Sequence, residues 1–374
     1  MKKQGKLLAI LTALALLLSG CGLGGGSTET AGVPDTTSEM TLAWRSAFWF
    51  SDVPVTAVSH GEDYAIEWVD KGMEAHIRQL LGKTEGDILH SDVWGIRMLT
   101  LSDTPDGCYD QLLLEPAAES LSYGDTLFSK ELGKSFADKD IPWVERLDDL
   151  RHFDSLQIFG IQDGSEHRKV DLSGPTQCPN LSVLVLNQIG LDSLDALADC
   201  GGLQVVHLWG VKPTTLEPLG KLTRLRYLWL YDCGSVDLLP LKTLTELTSL
   251  RACQCDAVSL EPLADVKGLK ALDLSYTVFP SLEPLQGTAL AYLDMGLSES
   301  NRKLYDALDY SPLTDLPGLR FLNLTNNRKV DADLCRAILD GSPALEYLNV
   351  METKASGELG KRDLDTDHLK CFSF

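Results

Sequence analysis

Leucine returns every 22 residues in the middle of this chain, on two ladders that stay in phase. The first is the pattern L-x-x-L-x-L at Leu181/Leu184/Leu186, Leu203/Val206/Leu208, Leu225/Leu228/Leu230, Leu247/Leu250/Ala252 and Leu269/Leu272/Leu274. It continues at Leu290/Leu293/Met295, Leu319/Leu322/Leu324 and Leu345/Leu348/Val350, with spacings of 21, 29 and 26. Upstream, Leu156/Phe159/Ile161 and Ile96/Leu99/Leu101 fit the same pattern. The second ladder pairs Leu194, Leu216, Leu238, Leu260 and Leu282 with Leu197, Leu219, Leu241, Leu263 and Leu285. Two ladders in register mean that one structural unit is stacked on copies of itself. Burying about five large side chains contributes on the order of 10 kcal/mol per unit. Ordering the backbone of one unit costs more than that. No unit can stand alone, so neighbours must share a core.

The expected architecture is a leucine-rich repeat solenoid of the α/β class. A curved parallel β-sheet forms its concave face, and short 3₁₀, helical or extended segments return over the convex side. Pro218, Pro240, Pro262 and Pro284 recur on the return path. Proline lacks an amide hydrogen and fixes φ, which predicts short convex turns in these coils rather than long helices. "VDADLCRAILDGSP" from Val330 has no proline until its end and predicts a true convex helix. Met73, Ile77, Leu80 and Leu81 form one apolar helical face within residues 66–101.

From about Phe153 to Val350 the ladders resemble the 22-residue repeats of internalin-type bacterial surface proteins. Residues 66–101 resemble the helical cap that precedes such repeats. The resemblance implies a surface protein that recognises a partner. It also implies Asn at the bend of each coil, where the side-chain amide bonds backbone. This chain has Ile189, Val211, Cys233, Cys255, Thr277 and Ser298 there, and only Asn327 matches. Cys233 and Cys255 read first as core fillers, although stacking on adjacent strands also permits a disulfide. There are nine cysteines and no CxxC pair, which argues against a zinc site. No wall-sorting motif follows the last repeat.

The first residues carry a different signal. Lys2, Lys3 and Lys6 precede the apolar run Leu7–Leu18, which ends in "LSGC". The run is too short to span a bilayer and suits a signal peptide. "LSGC" resembles a bacterial lipobox, which implies cleavage and a lipid on Cys21. No later apolar run is long enough to cross a membrane. The expected organisation is a signal peptide at 1–20, a Gly/Ser/Thr-rich tether at 21–40 and an N-terminal region with cap and first strand at 41–101. An insertion at 102–146 follows, including "CYDQLLLEPAAESLSYG", then repeats at 147–353 and a C-terminal cap or tail at 354–374.

In L-x-x-L-x-L the residues flanking the last two leucines point to the concave face. They place His207, Trp209, Tyr227, Trp229 and Tyr231 on neighbouring strands, with Arg251 at the edge. Asp273, Tyr292, Asp294, Phe321 and Tyr347 continue the same face. Contiguous aromatic surface marks a binding site, and Trp, Tyr and Arg are enriched at binding hot spots; the alternatives are that the patch packs under the 102–146 insertion or stiffens the sheet through cross-strand pairs. The acids beside the aromatics suggest a partner with apolar groups and some positive charge. The 29-residue repeat leaves the coil between Gly296 and Pro312 and could offer Tyr305 and Tyr310 to a partner.

Other chemistry is missing. "GKT" at Gly82 and "GKS" at Gly133 lack the upstream glycine of a phosphate loop. No H-E-x-x-H occurs, and no Ser/His/Asp spacing singles out a triad. No cofactor is implied. The formal net charge of −21 argues against nucleic acid as a partner. The reading is an extracytoplasmic lipoprotein, not an enzyme, that binds a protein through its concave face. The alternatives are a glycan-binding or envelope-scaffolding module, and an enzyme with its site in the 102–146 insertion.

Overall fold

A computed structural model describes residues 52–104, 107–114, 120–122, 134–136, 141–164, 167–257, 259–358 and 369–373. Cys21 and the segments expected to be a signal peptide and a tether lie outside the described residues.

The strands in chain order are β1 (Asp52–Pro54), β2 (Ile96–Thr104), β3 (Gly107–Leu114), β4 (Ser120–Ser122), β5 (Lys134–Phe136), β6 (Ile158–Asp163), β7 (Val183–Asn187) and β8 (Val205–Trp209). They continue with β9 (Tyr227–Val236), β10 (Ser249–Ala257), β11 (Ala271–Asp273), β12 (Tyr292–Asp294), β13 (Phe321–Asn323), β14 (Tyr347–Asn349) and β15 (Cys371–Ser373). Strand β2 and then β6 through β15 lie side by side, each parallel to the next. The register repeats without slippage at the leucines: Leu184, Val206, Leu228, Leu250, Leu272, Leu293, Leu322 and Leu348 form one row across the sheet. This is the leucine-rich repeat solenoid expected from the ladders.

Both ladders are inside. Leu194, Leu216, Leu238, Leu260 and Leu282 are buried, as are their partners three residues on. In the coils with the recurring proline the convex return is a single 3₁₀ turn, for example Glu217–Lys221 and Glu261–Asp265 with Pro218 and Pro262 near the start. The proline ring supplies the φ the turn needs, at a position where the missing amide hydrogen is not used. The proline-free segment forms the α-helix Ala332–Gly341, capped by the Asp331 carboxylate accepting from Leu334 N.

The cap helix is Lys71–Leu81, with Met73, Ile77 and Leu80 buried against the first coil. Asp70 both caps this helix and accepts from the amides of Glu145 and Arg146, so the cap is bonded to the coil it covers.

The bends of the coils explain the missing asparagines. Cys233 Sγ donates to Leu208 O (3.4 Å), and Cys255 Sγ donates to Leu230 O (3.6 Å). Thr277 Oγ1 donates to Ala252 O, and Asn327 Nδ2 donates to Met295 O (2.8 Å). Backbone amides link the rungs: Cys233 N reaches Cys255 Sγ at 3.4 Å, and Cys255 N reaches Thr277 Oγ1 at 3.3 Å. Cys233 and Cys255 are buried thiols, not a disulfide. The residue before each rung sits in the left-handed region, at Gln188, Gly210, Asp232, Gln254, Tyr276 and Asn326.

Two parts of the chain differ from expectation. The 29-residue repeat does not present its tyrosines: Tyr305 and Tyr310 are 2% and 6% exposed. The Tyr305 hydroxyl accepts from Thr277 N (3.2 Å) and donates to Leu274 O (2.5 Å), taking the rung where Ser298 was expected. The insertion adds β3 and β5 as antiparallel strands to the first edge of the sheet, and β4 pairs antiparallel with β1.

Candidate functional site

The strand register sorts the concave side chains into three rows. The first runs Val183, Val205, Tyr227, Ser249, Ala271, Tyr292, Phe321 and Tyr347. The second runs Val185, His207, Trp229, Arg251, Asp273, Asp294, Asn323 and Asn349. The third begins Asn187, Trp209, Tyr231 and Cys253. Alternation along each strand places every sequence-predicted site residue on this face.

Over β8 to β10 these residues form one cluster around Trp229. His207 meets its indole edge-on at 4.6 Å, and the Arg251 guanidinium lies over it at 5.0 Å. Trp209 packs on Tyr231 at 4.9 Å and stacks toward His207 at 6.3 Å. Trp229 is 8% exposed, whereas His207, Trp209, Tyr227, Tyr231 and Arg251 are half-buried. The expectation of an open aromatic patch is corrected in that respect. Trp229 is the floor of the cluster, enclosed by neighbours 22 residues away in either direction.

Burial and the Arg251 charge push the His207 pKa down to about 3, so its imidazole is neutral at pH 7. Arg251 Nε donates to Asp273 Oδ2 at 2.8 Å, and this ion pair is mostly out of solvent.

The second half of the face is structural. Tyr292, Phe321 and Tyr347 stack in parallel, with ring centroids 4.3 Å apart at both steps. All three are at most 2% exposed. Asp294 accepts from Gly296 N (2.9 Å), Ser275 Oγ (3.1 Å), Asn323 Nδ2 (2.9 Å) and Tyr292 OH (3.2 Å). Asp273 accepts from Ser275 N as well as from Arg251. Asp273 and Asp294 are each 1% exposed. Their lone pairs hold strand ends and side chains together, so they are not set out to meet a partner's positive charge. Five of the sequence-predicted residues therefore line the face without opening to solvent: Asp273, Tyr292, Asp294, Phe321 and Tyr347.

Sequence reasoning missed what lies across the first strands. Val55 packs on Met98, Ile158, Val183, Val185 and Val205. Its segment is held by Gln157, which accepts from Thr56 N (3.1 Å) and donates to Pro54 O (2.6 Å), and by Arg97, which donates to Thr56 O (2.7 Å). A valine between Pro54 and Thr56, outside the 22-residue period, gives no repeat signal. Among the described residues no group of three or more His, Cys, Asp or Glu is placed to hold a metal, and no helix is long and apolar enough to cross a membrane.

No protein-family model and no curated protein matches the chain. Among solved structures it is similar to an internalin of Listeria monocytogenes, at 18% identity and a TM-score of 0.48, over 76% of each chain. It is similar to internalin C2 of the same organism at 20% identity and a TM-score of 0.40, over 65% of this chain and 100% of that one. A leucine-rich repeat protein of Leptospira interrogans shares 15% identity at a TM-score of 0.37, over 56% of this chain and 64% of that one. The solenoid itself is established by this chain's own ladders, strand register and bend hydrogen bonds.

Proposed function

We propose that this chain is an extracytoplasmic recognition protein, held to a membrane by lipid on Cys21, whose solenoid binds a protein partner over β8 to β10. The observation that carries the reading is the half-buried cluster of His207, Trp209, Tyr231 and Arg251 around the Trp229 floor, with Tyr227 beside it on the same strand, packed against the aliphatic stripe. These are residue types that dominate binding energy. Their packing against one another fixes their rotamers in advance, so little side-chain entropy is left to lose on association. The only charged group in the cluster, Arg251, is already neutralised by Asp273, which favours apolar and aromatic groups on the partner. The role is recognition without turnover.

The anchor and the surface are tested separately. Lipid labelling of the wild-type protein and of Cys21→Ala reports the anchor, and equal label in both would refute it. Binding by Trp209→Ala/Tyr231→Ala reports the surface. That pair spares the buried Trp229, so the circular dichroism spectrum should hold while binding falls at least tenfold. Glycan binding with no protein capture would support a carbohydrate module instead.

A further inference from the structure

Three of the chain's seven histidines meet at the junction of the N-terminal segment, the cap and the first coil. His60 Nδ1 lies 3.1 Å from Asp154 Oδ2, and His90 Nε2 lies 3.3 Å from Asp154 Oδ1. The Tyr64 hydroxyl lies 2.8 Å from His152 Nδ1 and its ring stacks on His90 at 4.6 Å. His60 stacks on Trp94 at 4.7 Å. His152 is 7% exposed, and its Nε2 has no hydrogen-bond partner among the described residues. These contacts fasten one end of the segment, whose other end, at Val55, lies over the aliphatic stripe of Met98, Ile158, Val183 and Val205 and is held by Gln157 and Arg97.

We propose that residues 52–64 are an acid-released strap over the concave edge of the first strands, latched by Tyr64 and His60 on His152 and Asp154.

The charges around the latch set its direction. His152 faces His90 and the exposed Arg151, with Asp149 and Asp154 as the nearby acids, and Asp63 lies near His90. The Asp149 carboxylate is already accepting from the amides of Val69 and Asp70. Asp154 is already shared by the His60 and His90 imidazoles. A proton on His152 would therefore add a positive charge to a buried ring that has the Tyr64 hydroxyl, and no carboxylate among the described residues, at hydrogen-bond distance. Burial, with Arg151 adding to it, holds the His152 pKa below its ordinary value. Releasing the strap lets that ring take up a proton, so release is favoured once pH falls below the free-imidazole value of about 6.5. One such group makes release more favourable between pH 7.5 and 5.5, by at most about tenfold. Release would uncover the aliphatic stripe next to the Trp229 cluster. Only that consequence rests on the recognition reading above; the release itself needs no partner.

Hydrogen–deuterium exchange on the full chain, read by mass spectrometry and scaled for the intrinsic pH dependence, tests this without any ligand. Protection of the peptide spanning residues 54–66 should fall from pH 7.5 to 5.5, by up to about tenfold, while peptides from β9 and β13 keep theirs. His152→Gln should flatten that response. Tyr64→Phe, which keeps the ring stack but removes the hydroxyl, should expose the segment already at pH 7.5. A wild-type segment indifferent to pH, an undiminished response in His152→Gln, or parallel loss in β9 and β13 would each overturn the strap.

Discussion

The hydroxyl of Tyr305 lies 2.5 Å from the carbonyl oxygen of Leu274, 31 residues earlier in the chain. It also accepts from the amide of Thr277 at 3.2 Å. A residue from the longest repeat thus fills the rung that Cys233, Cys255 and Asn327 fill elsewhere. Tyr305→Phe keeps the ring and strands two buried backbone groups. It should cost about 1–3 kcal/mol in denaturant unfolding, whereas Ser298→Ala, outside the ladder, should cost almost nothing.

Arg251 and Asp273 give a second expectation. Arg251→Met leaves the buried Asp273 carboxylate without its cationic donor and should destabilise the fold by about 1.5–3 kcal/mol. The same change at the exposed Arg302 should lie within about 0.5 kcal/mol of wild type. Equal effects at the two sites would show that the Arg251 pair is solvated.

The bends store backbone strain. Gln254 is exposed and sits at a φ of 55°. Gly210 occupies the equivalent place two coils earlier at 62°. Gln254→Gly should raise stability by about 0.5–1 kcal/mol, because glycine adopts that φ without a Cβ clash. Thermal or urea unfolding reads this directly.

The histidine on the concave face carries a pH expectation. The folded-state pKa of His207, about 3, lies below the unfolded value. The unfolded chain therefore binds the extra proton, and stability is lost as pH falls below about 6.5. His207→Gln should remove on the order of 1 kcal/mol of the stability change between pH 7 and 5.5. An identical pH profile in the variant would show that the ring titrates freely.

How much of this was readable beforehand depends on the period. Leu184, Leu228 and Leu272 are core rungs because spacing alone fixes their direction, and Pro218 or Pro262 announces the turn that follows. The helix Ala332–Gly341 is legible as a proline-free stretch, and its Asp331 cap is added by the structure. The same alternation placed Trp209, Trp229 and Tyr231 on the concave face. It could not reveal that Trp229 is the floor, because its cover comes from His207 and Arg251, one coil away on either side. Tyr305 and Tyr310 fall outside the period, so spacing points them toward the rim and a partner, yet hydrogen-bonding needs at the bend draw them inward. The Val55 segment and the added edge strands β3 and β5 belong to no repeat, so nothing periodic located them.

The central claim is that the β8–β10 face, and not the convex side, meets a protein partner. A photo-crosslinking side chain placed at Trp209, and in a separate protein at the exposed convex residue Lys242, tests it on cells that display the ligand. The account predicts one crosslinked species from position 209, competed away by excess unlabelled wild-type protein but not by Trp209→Ala/Tyr231→Ala, and none from position 242. Competition by the double variant as effective as by wild type, or capture from position 242 alone, would contradict it.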